Sequence, residues 1–255
     1  MGERRLGNVW ITGASSGIGE SFARLIDGVA DNVAISARAG QKLDAMQRDG
    51  DTLISFPLDV ANESAVTATV RAIENRFGGV DLAVLGAGVW QPMPAAAMDL
   101  SQMRRAMDIN YFGVVNAVNA VLPGMKARGG GHIVIVASVA GYRGLPTSAA
   151  YGPTKAALIH LAETLAIELS GCGIDVTLVN PGFVDTPMVK VNHYNMPGLM
   201  STDDAAKKML AGIMKRKEAV FFPLVFTSLI RLSNILPHRF YYWAVRRVTG
   251  AGKRR

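Results

Sequence analysis

Cysteine is almost missing from this chain: Cys172 is the only one in 255 residues. An intramolecular disulfide is therefore excluded, and so is a metal cluster held by several thiolates. The N-terminus has no long apolar run. Residues 1–7 are polar and lead straight into an apolar strand, without the apolar stretch and small-residue cleavage site of a secretory signal. A cytoplasmic location is expected. Acidic residues are missing after Glu218, while Arg231, Arg239, Arg246, Arg247, Lys253, Arg254 and Arg255 follow. Taking these seven from the 27 Lys and Arg leaves 20 against 20 Asp and Glu, so the net charge of +7 belongs to the C-terminus. A nucleic-acid footprint spread over the body is not expected. His193 has no neighbouring ligand residue, so it is read as a surface or lid histidine and no metal is assigned.

What the chain does have is 49% hydrophobic residues, enough to bury a sizeable core. Short apolar runs alternate with helical patterns. Strands are expected at 8–11, 32–37, 52–58, 81–85, 133–137 and 175–179, with a last one at the start of 220–230 that Pro223 ends. Helices are expected from the Asn62 cap to Phe77, where Gly78–Gly79 stop it; over 101–126, with Asn110 in its middle; and over 151–169. The near-continuous apolar strand 81–85 suits a parallel sheet covered on both faces. The fold class is α/β: a single doubly wound Rossmann-type domain with a parallel sheet of about seven strands and helices on both faces. That domain is expected over 1–222, with an apolar, aromatic and basic extension over 223–255.

Thr12-Gly13-Ala14-Ser15-Ser16-Gly17-Ile18-Gly19 lies between the first strand and a helix. Gly13 allows a tight turn, Gly17 lets backbone approach a ligand, and Gly19 permits close helix–strand packing. Free N–H groups at the positive helix end suit a pyrophosphate. At the end of the second strand, an acid would accept from a ribose 2′-hydroxyl. Arg38 stands there instead and could meet a 2′-phosphate, with Ser15 adding a hydrogen bond. NADP is therefore expected, with NAD as the alternative.

In Ser148-Ala-Ala-Tyr151-Gly-Pro-Thr-Lys155, Tyr151 and Lys155 are spaced i, i+4, so a helix puts phenol and ammonium on one face. A free phenol has a pKa of about 10 and transfers protons poorly near neutrality. A fixed cation beside it favours the phenolate and makes Tyr a usable general acid/base.

With these features in order, the chain resembles the classical short-chain dehydrogenase/reductase family. Residues 12–19 are similar to its cofactor loop, Ser16 and Ile18 included, and Asp59-Val60 to its adenine-contacting pair. Asn110, Ser138, Tyr151 and Lys155 match its catalytic Asn, Ser, Tyr and Lys. Pro181, Gly182 and Thr186 match the segment that holds the nicotinamide end. One departure stands out: where the family has Asn-Asn-Ala-Gly, this chain has Leu85-Gly86-Ala87-Gly88. The resemblance implies hydride transfer between nicotinamide and a carbonyl/alcohol pair, with Ala87, Gly88, Asn110, Tyr151 and Lys155 also touching cofactor. It further implies that Trp90 and the stretch 183–200 border the substrate, beside Ser138 and Tyr151. Phe183, Met188, Val189, Val191, Tyr194, Met196, Leu199 and Met200 make that stretch apolar, so a hydrophobic ketone, aldehyde or alcohol is expected.

A homodimer or homotetramer is expected. The segment 220–230 is too short, and too interrupted by Arg231, to cross a bilayer. Its aromatic and basic sequel suits either packing against a subunit or over the pocket, or peripheral contact with an anionic membrane. Two rival functions stay open on the same fold: a catalytically silent dinucleotide sensor and a membrane-surface protein.

Overall fold

The computed structural model describes residues 6–189, 196 and 198–251. The strands are β1 Asn8–Thr12, β2 Asn32–Ser36, β3 Leu53–Ser55, β4 Leu82–Leu85, β5 Gly131–Val136, β6 Ile174–Pro181 and β7 Ala219–Phe222. They form one sheet in the order β3-β2-β1-β4-β5-β6-β7, and each neighbouring pair is parallel. Each parallel step needs a crossover, which the helices supply. The order reverses between β1 and β4, so a crevice opens there beyond the carboxyl ends of the strands.

Side chains alternate along each strand and divide the core in two. Trp10, Ala83 and Leu85 join the layer under α3 (Glu63–Phe77), α5 (Gly113–Ala127) and α6 (Tyr151–Leu169). Val9, Ile11, Leu82 and Val84 join the layer under α1 (Gly17–Ile26), α2 (Gly40–Asp49) and α7 (Thr202–Met214). The buried Trp10 indole finds a polar partner by donating to Ser36 Oγ at 3.0 Å.

The expected Asn62 cap is present: its side chain accepts from Ala65 N at 3.0 Å. Gly78 ends α3 at φ +85°, a left-handed turn that glycine takes without strain. Two elements differ from expectation. The third strand is regular only over Leu53–Ser55. The chain nevertheless stays on the ladder, with Phe56 N and Leu58 N donating to Ile35 O and Ala37 O. The helix expected over 101–126 is α4 (Leu100–Met107), then one π-turn over Asp108–Phe112, then α5. Gly113 N reaches Asp108 O, the i→i+5 bond of a π-bulge, a device common where a helix must aim a functional side chain. The residue so aimed is Asn110.

Val191, His193 and Tyr194 lie outside the described residues, as do Lys253, Arg254 and Arg255. Pro223 does end β7, and α8 (Leu224–Leu232) and α9 (His238–Thr249) follow. They do not trail away: α9 buries Tyr241, whose hydroxyl donates to Gly144 O at 2.9 Å.

One buried group far from the crevice sets a pH dependence of stability. His132, on β5, is 2% exposed. Its Nε2 lies 2.8 Å from Thr177 Oγ1, which donates to Lys217 O. Thr177 therefore accepts from Nε2–H. Burial, reinforced by the Arg216 charge, lowers the His132 pKa from 6.5 to about 4. Below pH 6.5 the unfolded chain takes up a proton that the folded chain refuses until about pH 4. Stability therefore falls with pH across that window, by up to about 3 kcal/mol at 1.36 kcal/mol per pKa unit. Urea unfolding at pH 7.5 and 4.5 is expected to show this loss in the wild type. His132→Gln should lack that component, and an equal pH dependence in both proteins would refute the assignment.

Candidate active site

The crevice holds a cavity of about 400 Å³. Its floor is built from backbone. Gly13, at φ +76°, turns the chain out of β1, and Gly13 N and Ala14 N donate to Ser36 O. These two N–H groups serve the turn. The ones left to face a ligand are those at the start of α1, where Ser16 makes no side-chain cap bond. A Cβ on Gly13 would stand 2.9 Å from Ala87 Cα, and one on Gly88 would stand 3.2 Å from Asn110 Oδ1. Gly17, at φ +59°, faces the opposite wall: a Cβ there would lie 2.8 Å from Thr186 Cγ2. Such a side-chain-free cradle ending on a helix N-terminus fits the pyrophosphate of a dinucleotide.

Thr12 is the residue that sequence reasoning underused. It is buried, and its Oγ1 accepts from Gly86 N and Ala87 N at 3.1 and 3.3 Å. One hydroxyl thus ties the ends of β1 and β4 together at the switch point. Leu85, standing where the family has an asparagine, is fully buried in the core under α3, α5 and α6.

Of the expected catalytic and cofactor-binding residues, all but one line this cavity, together with Trp90 and Phe183: Gly13, Ser15 to Gly19, Arg38, Asp59, Val60, Ala87, Gly88, Ser138, Tyr151, Lys155, Pro181, Gly182 and Thr186. Arg38 and Asp59 are exposed at its rim. The exception is Asn110, which is fully buried outside the lining. Its Oδ1 accepts from Val89 N at 2.7 Å, and its Nδ2 donates to Val89 O and Thr154 Oγ1 at 3.0 and 3.1 Å. Its amide is spent on holding the loop after β4 against α6.

Ser138 lies just past β5 in extended backbone, and its Oγ accepts from Ala140 N at 3.2 Å. That bond takes one lone pair and leaves the hydroxyl proton uncommitted. Tyr151 opens α6 and meets the Trp90 ring edge-to-face, centroids 5.1 Å apart. One turn on, Lys155 Nζ lies 5.5 Å from the Tyr151 ring centre and donates to Val136 O at 2.9 Å. Burial lowers the Lys155 pKa from 10.5 to about 8, so the ammonium is still the main form at pH 7. Pro153 is accommodated in the first turn of α6, where its missing N–H costs nothing.

On the substrate side, Phe183, Met188 and Val189 line the cavity, whereas Met196, Leu199 and Met200 do not. Three further contributors were not anticipated: Leu145, Pro146 and Phe226. Phe226, on α8, lies 5.1 Å centre to centre from Phe183. Leu145 and Pro146 come from the loop between Ser138 and Tyr151, whose turn residues carried no periodic signal.

A family model described as short chain dehydrogenase matches residues 7–196. An uncharacterized oxidoreductase of Myxococcus xanthus is 35% identical over 252 residues, covering 97% of this chain and all of that one. A second, from Staphylococcus haemolyticus, is 35% identical over 182 residues, covering 71% of this chain and 79% of its own. Among solved structures, a short-chain dehydrogenase/reductase of Burkholderia phymatum in complex with NAD superposes with a TM-score of 0.83 at 24% identity, over 96% of this chain and 97% of its own. A short-chain dehydrogenase of Streptomyces avermitilis gives 0.82 at 24%, over 94% and 95%. The two structures carry the fold alone. The family model and the relatives, joined to the glycine cradle and the Tyr151–Lys155 pair, place this chain in the short-chain dehydrogenase family of oxidoreductases.

Proposed function

We propose that the protein is an NADP(H)-dependent oxidoreductase that interconverts a hydrophobic ketone or aldehyde and its alcohol. The observation that carries this reading is the convergence of Ser138, Tyr151 and Lys155 on the cavity whose floor is the glycine cradle. A bound nicotinamide supplies or accepts the hydride. Residues 13–19 would hold the pyrophosphate, Asp59 and Val60 the adenine, and Pro181, Gly182 and Thr186 the nicotinamide end, beside Ala87 and Gly88. Ser138 Oγ–H donates to the substrate oxygen and stabilises charge that develops there during reduction. Tyr151 Oη gives that oxygen its proton, and takes one back in oxidation. The Lys155 ammonium favours negative charge on the Tyr151 phenol and would also donate to the nicotinamide ribose hydroxyls. We assign Asn110 to positioning: it fixes the Val89 backbone and Thr154, and so the spacing of Trp90 and Tyr151. Trp90, Phe183, Leu145 and Phe226 support an apolar substrate. In this reading 1–222 is the catalytic domain and 223–255 an extension over its mouth, in a cytoplasmic homodimer or homotetramer.

The reading is tested by following NADPH oxidation against a panel of aryl and long-chain ketones and aldehydes. Turnover of any of them supports it. NADPH bound without turnover across the panel would favour a silent sensor.

Cofactor choice is tested separately. Arg38 lines the cavity just past β2, at the position where a reader of the 2′-hydroxyl would carry an acid. A charge-assisted hydrogen bond to a phosphate contributes about 1.5–3 kcal/mol, or roughly 10- to 100-fold. Arg38→Ala is expected to lower kcat/KM for NADPH by that factor and to leave NADH within about two-fold. A wild-type preference for NADH would overturn the NADP assignment.

A further inference from the structure

Of the sixteen large apolar side chains exposed among the described residues, ten lie between Leu224 and Val248, so the unpartnered apolar surface of this protein is concentrated on its C-terminal helices. Each of these helices has one face docked. α8 turns Phe226 toward the cavity and buries Thr227, whose hydroxyl donates to Pro223 O at 2.9 Å. α9 buries Tyr241 under the Arg143 guanidinium, 4.0 Å from the ring centre. Arg143 also donates to Asn234 O, between the two helices. The outward faces carry Val225, Leu229 and Leu232 at i, i+4, i+7 on α8, and Phe240 and Trp243 at i, i+3 on α9, with Ile235 joining them. Val225 is 78% exposed, Ile235 77% and Trp243 65%. Helical spacing makes each set one stripe. Beside the α9 stripe stand exposed Arg239, Arg246 and Arg247, in a stretch with no acidic residue, while Arg231 packs its guanidinium 4.1 Å from the Phe221 ring centre.

Charge decides what covers this face. A two-fold copy of the chain would set the same patch against itself, and so bring several unneutralised arginines against their own kind over apolar contacts. An anionic bilayer answers both features: lipid tails accept the apolar stripe, headgroups pair the arginines, and an interfacial Trp is suited to the boundary. No helix among the described residues is long and apolar enough to cross a membrane, so the contact lies in the surface plane. We propose that the outward faces of α8 and α9 form a docking surface for an anionic lipid bilayer. This deepens, and rests on, the reading of the cavity as a site for hydrophobic substrates. The same two helices form its rim, through Phe226 and through the Tyr241 bond to Gly144 beside Leu145 and Pro146, so docking brings the mouth to the level where such a substrate dissolves.

The test is vesicle flotation of the full chain with phosphatidylcholine alone and with a quarter phosphatidylglycerol. The bound fraction is expected to be at least ten-fold higher on the anionic vesicles, and to collapse between 50 and 500 mM salt. The double variant Val225→Glu/Leu229→Glu, and separately Trp243→Glu, should lose that binding while their NADPH affinity, read by fluorescence titration, stays within two-fold of wild type. Binding to neither vesicle overturns the proposal, and equal binding to both overturns its electrostatic half. A dimer that the double variant dissociates, without vesicle binding, would make the face a contact between copies and end it as well. Failure to bind NADPH by the wild type would instead sink the cofactor reading, and flotation would still report on the docking face.

Discussion

Tyr151→Phe is expected to lower turnover by about 10²- to 10⁴-fold, the contribution of a positioned general acid/base, while NADPH affinity stays within about two-fold. The expectation follows from what the substitution leaves alone. The ring keeps its edge-to-face contact with Trp90. Lys155 Nζ keeps its bond to Val136 O, and neither the glycine cradle nor the rim loses an atom. Only the proton-bearing oxygen goes, so the loss should fall on kcat and not on cofactor binding. Stopped-flow or steady-state NADPH oxidation with any accepted ketone measures the first quantity, and cofactor fluorescence the second. A variant that turns over within ten-fold of wild type would move the proton transfer to another group. Ser138, which lines the same cavity, is the next candidate, and Ser138→Ala in the same background would then have to abolish what remained.

The reason this site could be read in the sequence is that its chemistry is local. The glycines, Arg38, Ser138 and the Tyr151–Lys155 pair each follow a strand end or open a helix, where short-range spacing says which way a group points. All of them line one cavity. The doubly wound parallel sheet followed from alternation and crossover rules in the same way. The parts that escaped depend on chain segments meeting at a distance. Thr12 looked like the first residue of the glycine loop, and its double acceptance from Gly86 and Ala87 needs β4 beside it. Phe226 looked like part of a tail, and its place at the rim needs the chain to return over Phe183. The π-turn at 108–112 had no breaker residue to announce it, because its cause lies in the loop that Asn110 has to reach.

Asn110→Ala is the substitution with the largest expected effect on stability. It removes three hydrogen bonds from a fully buried amide. The Val89 N–H and C=O lose their partner, while Thr154 Oγ1 keeps its bond to Tyr151 O. At about 1–3 kcal/mol per unpaired buried group, and with the volume of the amide unfilled, the loss is about 4 kcal/mol. For a domain of this size, that is about 10 °C in Tm. Calorimetry measures it. An unchanged Tm would show that the amide is not holding the structure, and would return Asn110 to a purely chemical part. A second readout separates positioning from plain destabilisation. At 15 °C, where the variant is still folded, kcat should fall at least ten-fold, because Val89 no longer fixes Trp90 against Tyr151 and Asn110 no longer braces Thr154 in the turn that carries Lys155. NADPH affinity should hold within about two-fold, since the cradle at residues 13–19 makes none of these contacts. A variant that is less stable yet fully active when cold would confine Asn110 to the fold, and the spacing of the reacting groups would then have to be set by α6 alone.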